Sequence, residues 1–152
     1  MPYQQIGPQR SAAGIMPIVS EGAEAASQTF KAGAPLIRNA AGFWEECGVA
    51  PALVGGFAVN DAHNNAVAGG ATIQYHMVRA GVEFDGQLLA TLTQTMLGEE
   101  VGLVKGGDGI WYLSAADVGD QCLVTGYNSR YKIGSVNPVV EFQVASANIQ
   151  EL

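Results

Sequence analysis

The stretch Ala71-Thr72-Ile73-Gln74-Tyr75-His76-Met77-Val78-Arg79 decides the fold class. Ala71, Ile73, Tyr75 and Met77 fall on one side of an extended chain, and Thr72, Gln74 and His76 on the other. Successive side chains of a strand point to opposite faces, so this period of two predicts a half-buried β-strand. Downstream, Val82-Glu83-Phe84 continues the pattern, and Asp85-Gly86 reads as a turn. Residues 88–96 fit two patterns. Leu88, Leu92 and Thr95 make a helical face, while the threonines and the alternation suit a strand. Residues 100–105 and 110–113 flank Gly106-Gly107-Asp108-Gly109, a hairpin loop, and 121–127 and 139–144 read as two more strands. In 114–120 the chain turns, with Ser114 placed to cap a single helical turn.

Upstream of the deciding strand, Leu36-Ile37-Arg38 and Phe43-Trp44-Glu45-Glu46 flank Asn39-Ala40-Ala41-Gly42, the composition of a hairpin turn. Residues 52–59 form a small apolar strand in which Gly55-Gly56 implies a bulge or a close backbone approach. Short strands at this spacing predict an all-β chain, a small barrel or sandwich of antiparallel strands with at most one or two short helical turns. The expected core is Leu36, Val54, Phe57, Val59, Ile73, Tyr75, Phe84, Leu103, Trp111, Leu123, Val140 and Phe142.

Residues 1–28 differ in character, so the chain divides into an extended N-terminal arm, 1–28, and a β domain, 29–152. The arm is rich in Gln, Gly, Pro and Ser, with short apolar pieces at Ile6 and at Ile15-Met16-Pro17-Ile18-Val19. It reads as a segment that orders on a neighbour, with Ile6, Ile15, Met16, Ile18 and Val19 as contact residues. Residues 20–27 have the composition of one helical turn, weakened by Gly22.

The chain has 152 residues, the size of one domain. Seven Lys and Arg face fourteen Asp and Glu, a net charge of -7, and charged residues are only 14%. That balance argues against a protein that coats nucleic acid, because duplex binding neutralises several phosphates. The scarcity of charge implies that much of the surface meets other protein. No run approaches the ~20 apolar residues of a membrane span. Met1 to Arg10 lacks the basic and apolar regions of a secretory leader. Cys47 and Cys122 lie far apart and do not form a disulfide framework, so two reduced thiols in a reducing cytoplasm are expected.

Chemistry finds little footing. His63, His76, Cys47 and Cys122 are the only soft metal ligands, and they lack the close pairs of a structural zinc site. Asp61, Asn64, Asn65 and Asp108 lack the repeated acidic spacing of a calcium loop and fit turns better. No nucleophile elbow or phosphate loop is present. Glu45-Glu46 and Glu99-Glu100 are adjacent, so on strands each pair points to opposite faces and cannot work as acid and base on one site. No catalytic residue, metal or cofactor is therefore expected. Trp44 remains, beside Phe43 after a hairpin turn. It reads as an interface anchor, a plain core residue or a stacking platform for a sugar.

One larger pattern is visible. It begins with Ser27-Gln28-Thr29-Phe30-Lys31-Ala32-Gly33-Ala34-Pro35-Leu36, Gly42-Phe43 and Leu53-Val54-Gly55-Gly56-Phe57-Ala58. It continues with Met96-Leu97-Gly98, Val101-Gly102-Leu103 and Gly109-Ile110-Trp111-Tyr112-Leu113, and closes with Ile133-Gly134-Ser135-Val136-Asn137-Pro138-Val139-Val140-Glu141-Phe142. Together these resemble the head decoration, or capsid cement, proteins of tailed bacteriophages, over roughly residues 27–144. The resemblance implies a β-barrel module with an N-terminal arm, sitting on the outside of a mature capsid after assembly in the host cytoplasm. It implies two partners, the major capsid protein and further copies of the chain itself, as a trimer in preference to a dimer. It brings no catalytic residue. Competing readings are a tail-tube or baseplate component and a glycan-binding β module.

Overall fold

The computed structural model describes residues 5–8, 17–116, 119–127 and 130–152. Eleven strands run in chain order. They are β1 (Gly7–Pro8), β2 (Val19–Ala23), β3 (Pro35–Arg38), β4 (Trp44–Glu46), β5 (Gly56–Ala58) and β6 (Thr72–Met77). The remaining five are β7 (Glu83–Leu89), β8 (Glu100–Lys105), β9 (Trp111–Ser114), β10 (Cys122–Tyr127) and β11 (Val139–Val144). Two 3₁₀ turns, Gln94–Met96 and Ser146–Asn148, are the only helical elements among the described residues. The chain is all-β.

Strands β7, β11, β10, β8 and β9 form a closed barrel. All its pairs are antiparallel except the closing one, where Leu88 and Leu89 of β7 lie parallel to Leu113 and Ser114 of β9. Closure leaves this sheet without the open edges that invite aggregation. The other five strands form a second sheet in the order β2-β6-β5-β3-β4. Its two edges approach each other at a single parallel bridge between Glu24 and Trp44.

The two sheets share one core. Phe57 of β5 stands 4.8 Å from Phe84 and 5.9 Å from Phe142, ring centre to ring centre, and the latter two belong to the barrel. All three are fully buried. Chain ends lock the sheets further. β1 lies on β7 (Gly7 opposite Asp85), and the following β2 belongs to the second sheet. At the other end the chain leaves β11 and returns to the second sheet, where Ile149 bridges Val54. The Gln150 carboxamide accepts from the Arg38 N–H at 2.8 Å and donates to the Arg38 carbonyl at 2.8 Å.

The deciding strand behaves as its alternation requires: Ile73 and Tyr75 are buried, Thr72 and Gln74 exposed. The two hairpins also form. In the first, the Asn39 side chain accepts from Ala41 and Phe43 N–H groups while Gly42 takes φ +90, the left-handed conformation that glycine adopts without strain. Asp85-Gly86 is not a turn. β7 runs straight through it, because Gly86 faces the barrel interior, where a Cβ would come within 2.9 Å of the Phe142 ring. Residues 20–27 are not helical either, since β2 occupies the first half of them and a bridge and a turn the rest. The 52–59 strand shortens to β5, with close approach at Gly55, whose Cβ would meet Trp44 at 2.9 Å. Ser114 ends β9, and its hydroxyl accepts from the Ala116 N–H; the helical turn expected after it falls partly on residues 117–118, which lie outside the described residues.

Two residues expected in the core are not fully buried. Val59 shares a face with Phe57 but lies beyond the contact with the barrel, beside exposed Gln74, whose carbonyl accepts its N–H. Leu123 is half-buried, because the register that pairs Cys122 with Val144 and Val124 with Phe142 turns those two inward.

Candidate interaction surfaces

The N-terminal segment is built differently from the expected arm. Ile6 is only 4% exposed, so it is a core residue and not a contact for a neighbour. Its backbone lies where a Cβ on Gly33 would come within 2.9 Å, and only glycine permits that approach. Residues 5–8 therefore pack on their own chain. Ile15 and Met16 lie outside the described residues.

Ile18 and Val19 are 49% and 53% exposed and stand at the head of β2. Among the described residues the only strand that pairs with β2 is β6. The Met77 N–H donates to the Ile18 carbonyl and the Glu24 N–H to the Ala71 carbonyl, so even-numbered residues bond inward. Val19 and Glu21 thus turn their backbone N–H and C=O groups away from the sheet, and no strand pairs with them on that side among the described residues, whereas the Ala23 carbonyl faces Trp44 in the parallel bridge of Glu24 with Trp44. Val19 and Glu21 share one face, where Gln74 donates to the Glu21 carboxylate at 3.1 Å. Beyond this short open edge the chain is closed off, since the Ala25 N–H donates to the Trp44 carbonyl at 2.8 Å.

Trp44 is 3% exposed and is neither an interface anchor nor a sugar platform. It stacks on Tyr75 at 4.1 Å and fills the space where Gly22 has no Cβ; an added Cβ would lie 2.3 Å from its indole. The aromatic after the hairpin turn is buried because the second sheet curls until its edges meet over that ring.

The four soft ligands are scattered. His63 is paired with Glu24, a carboxylate buried to 1% exposure, which accepts from the His63 N–H at 2.9 Å and meets its Nδ1 at 2.7 Å. This pair fastens the 59–65 loop where the sheet edges meet. Sequence reasoning missed it, because Glu24 and His63 are joined only by folding. His76 lies across from Phe57 at the junction of the sheets, and burial lowers its pKa below the ordinary histidine value. Both cysteines are free and buried. Burial, then Glu46 and Glu45, pushes the Cys47 thiol up to about 12, and burial alone pushes Cys122 up as well. Neither thiol supplies a thiolate nucleophile near neutral pH. Among the described residues no three His, Cys, Asp or Glu side chains converge as a metal site would need.

Charge is concentrated at two places. Glu46 joins the sheets, accepting from Trp111 Nε1 at 3.0 Å and meeting Lys105 Nζ at 2.6 Å. On the outer face of the barrel Glu83, Asp85 and Glu141 gather, with Asp85 opposite Glu141. Burial first, then Glu141 and Glu83, raises the Asp85 carboxyl to about 6. Asp108, in the second hairpin loop, is held below its usual value by the Tyr112 hydroxyl and the Ile110 N–H.

The second sheet also carries an uncharged apolar loop between β4 and β5. No Asp, Glu, Lys, Arg or His occurs from Cys47 to Asn60, a run the sequence displays openly although nothing in its periodicity marks it as surface. Among the described residues, a strand edge and an apolar loop are distinctive exposed features. No protein-family model matches the chain, and no curated protein matches it in sequence, so its function is argued from these surfaces.

Proposed function

We propose that the protein is a structural virion component that binds the outer surface of a mature phage capsid and stabilises it by bridging major capsid protein subunits. The observation that carries the reading is the open edge of β2, where exposed Ile18 and Val19 stand beside outward backbone groups. An extended segment of a capsid subunit adds to such an edge through main-chain hydrogen bonds, with side-chain pockets giving specificity. The sequence resemblance to capsid cement proteins, the scarcity of charge and the closed barrel support the same reading. A net charge of -7 also suits the outside of a shell filled with DNA.

The mechanism is mechanical. An oligomer that touches several capsid subunits makes its later contacts effectively intramolecular, so modest interfaces add up. Preference for the expanded lattice then stabilises that lattice by mass action. The glycan-binding alternative loses its aromatic platform, because Trp44 is buried.

The test mixes the purified chain with mature capsids lacking it and follows binding and rupture temperature. Binding with a raised rupture temperature is expected. The variant Glu21→Pro removes an outward N–H from the edge without touching the backbone bonds to β6, and loses only the exposed side-chain bond from Gln74. It should stay folded yet bind about tenfold or more weakly, whereas Glu21→Gln should bind nearly as the native chain does. No binding, or binding without a rise in rupture temperature, overturns the proposal.

A further inference from the structure

The stretch Gln150-Glu151-Leu152 forms the common wall of two cavities, of about 490 and 470 Å³. The larger is lined also by Met77, Val78, Arg79 and Ile149, the smaller by Arg38, Asn39 and Gly42. Each cavity thus carries one arginine. The Arg79 Nε donates to the Met77 sulfur, a weak acceptor, at 3.1 Å. The Arg38 Nε donates to the Gly42 carbonyl at 3.3 Å. Neither guanidinium forms an ion pair among the described residues, not even with Glu151 on the shared wall. Gln150 supplies a second observation. Its carboxamide accepts from the Arg38 N–H and donates to the Arg38 carbonyl, both at 2.8 Å. Two residues that exchange both bonds are the hydrogen-bonded pair of an antiparallel ladder. β5 pairs with β3 only at Pro35 and Leu36, so the backbone of Arg38 on that side is left to Gln150. Gly55 makes room, since a Cβ there would come within 2.7 Å of the Gln150 Oε1. A side chain thus stands in for a strand on this edge of β3.

We propose that this face binds an acidic, extended peptide segment of a partner protein. The segment displaces Gln150-Glu151-Leu152, adds to β3 at Arg38 and sets its carboxylates against Arg38 and Arg79. Charge complementarity selects this occupant. The chain has only seven Lys and Arg and a net charge of -7, yet two of its arginines flank one stretch without a carboxylate partner. A guanidinium grips a carboxylate through two parallel bonds. Main-chain bonds to a strand edge hold an extended segment, and the Gln150 carboxamide already makes that pair of bonds. A neutral or basic segment could copy the backbone bonds but gains nothing from the arginines. The stretch now in place is itself acidic, and its departure takes the Glu151 charge away from the two guanidiniums. It therefore acts as a resident competitor for the site. The outward backbone of β2 takes no part, so the inference goes beyond the capsid reading and does not depend on it.

The test titrates the full chain into the labelled peptide acetyl-Thr-Glu-Val-Glu-Thr-amide, and into the same peptide with Gln for Glu, by fluorescence anisotropy. Amide NMR spectra place the site. The acidic peptide should saturate below about 1 mM and shift the Arg38 and Gln150 signals, and the Gln peptide should bind about tenfold or more weakly. Arg38→Gln and Arg79→Gln should each weaken the acidic peptide about threefold or more. Both arginines are exposed, so the circular dichroism spectrum should not change. Gln150→Ala should tighten binding about threefold, because the competing carboxamide is gone. Two controls should leave the affinity unaltered: Lys132→Gln, an exposed cation in another loop, and Glu21→Pro, which alters the edge of β2. Any of five results overturns the proposal. They are no saturation, equal binding of the two peptides, arginine variants that bind as the native chain does, a Gln150→Ala variant that binds more weakly, and a control that weakens binding as much as Arg79→Gln.

Discussion

Replacing Phe57 by alanine tests whether the two sheets form one cooperative unit. Phe57 belongs to the second sheet, yet its ring is fully buried and meets Phe84 at 4.8 Å and Phe142 at 5.9 Å inside the barrel wall. Truncating a buried phenylalanine costs about 3–5 kcal/mol, the lost transfer energy plus the cavity left behind. The site has little room to collapse, because β5 is held on both sides, by β3 and β6. A loss of about 4 kcal/mol, not the low end of that range, is therefore expected. At about 2–4 °C per kcal/mol for a chain of this length, the midpoint of thermal unfolding should fall by roughly 8–16 °C. Urea unfolding followed by tryptophan fluorescence and by far-ultraviolet circular dichroism gives the free energy. Trp44 reports on the second sheet and Trp111 on the barrel, so single-tryptophan variants follow each sheet separately. Both probes should move together, with one transition. A loss below about 1 kcal/mol, or a second sheet that unfolds while the barrel persists, would refute the shared core.

Two further substitutions probe named contacts. Gly22→Ala should destabilise by about 1–3 kcal/mol, because its Cβ would sit 2.3 Å from the Trp44 indole and the ring has no space to yield; near-neutral stability in urea contradicts that packing. Asp85→Asn concerns pH. The folded carboxyl is raised from 3.8 to about 6, so its stabilising contribution is complete below pH 3.8 and is lost as pH rises through about 6. The substitution should therefore stabilise the protein at pH 8 and make little difference at pH 3.5. The nominal shift is discounted to about 1 kcal/mol, since the group is half-exposed and screened by solvent. A variant less stable than the native chain at pH 8 contradicts the sign.

Local features were legible in the sequence. The alternation from Ala71 to Met77, the Asn39–Gly42 turn and the hairpin around Asp108 all follow from backbone chemistry within a few residues. Barrel closure was not legible. It depends on a parallel pairing of β7 with β9, and no local pattern specifies which strands meet across a barrel. Glycines misled where they serve packing, as at Gly86, because space for Phe142 and a turn demand the same residue. Ile6 and Trp44 look alike in the sequence to exposed contact residues; their burial follows from Gly33 and Gly22, distant positions that make room for them. Ile18 and Val19, by contrast, are exposed at the head of β2.

Locating the chain in intact phage particles, by cryo-electron microscopy of native particles and of particles lacking it, bears most directly on the proposed role. Density on the outer face of the mature head, touching more than one major capsid subunit and with a capsid strand along β2, is the expected result. Density inside the shell, in the tail, or nowhere on the particle would contradict it.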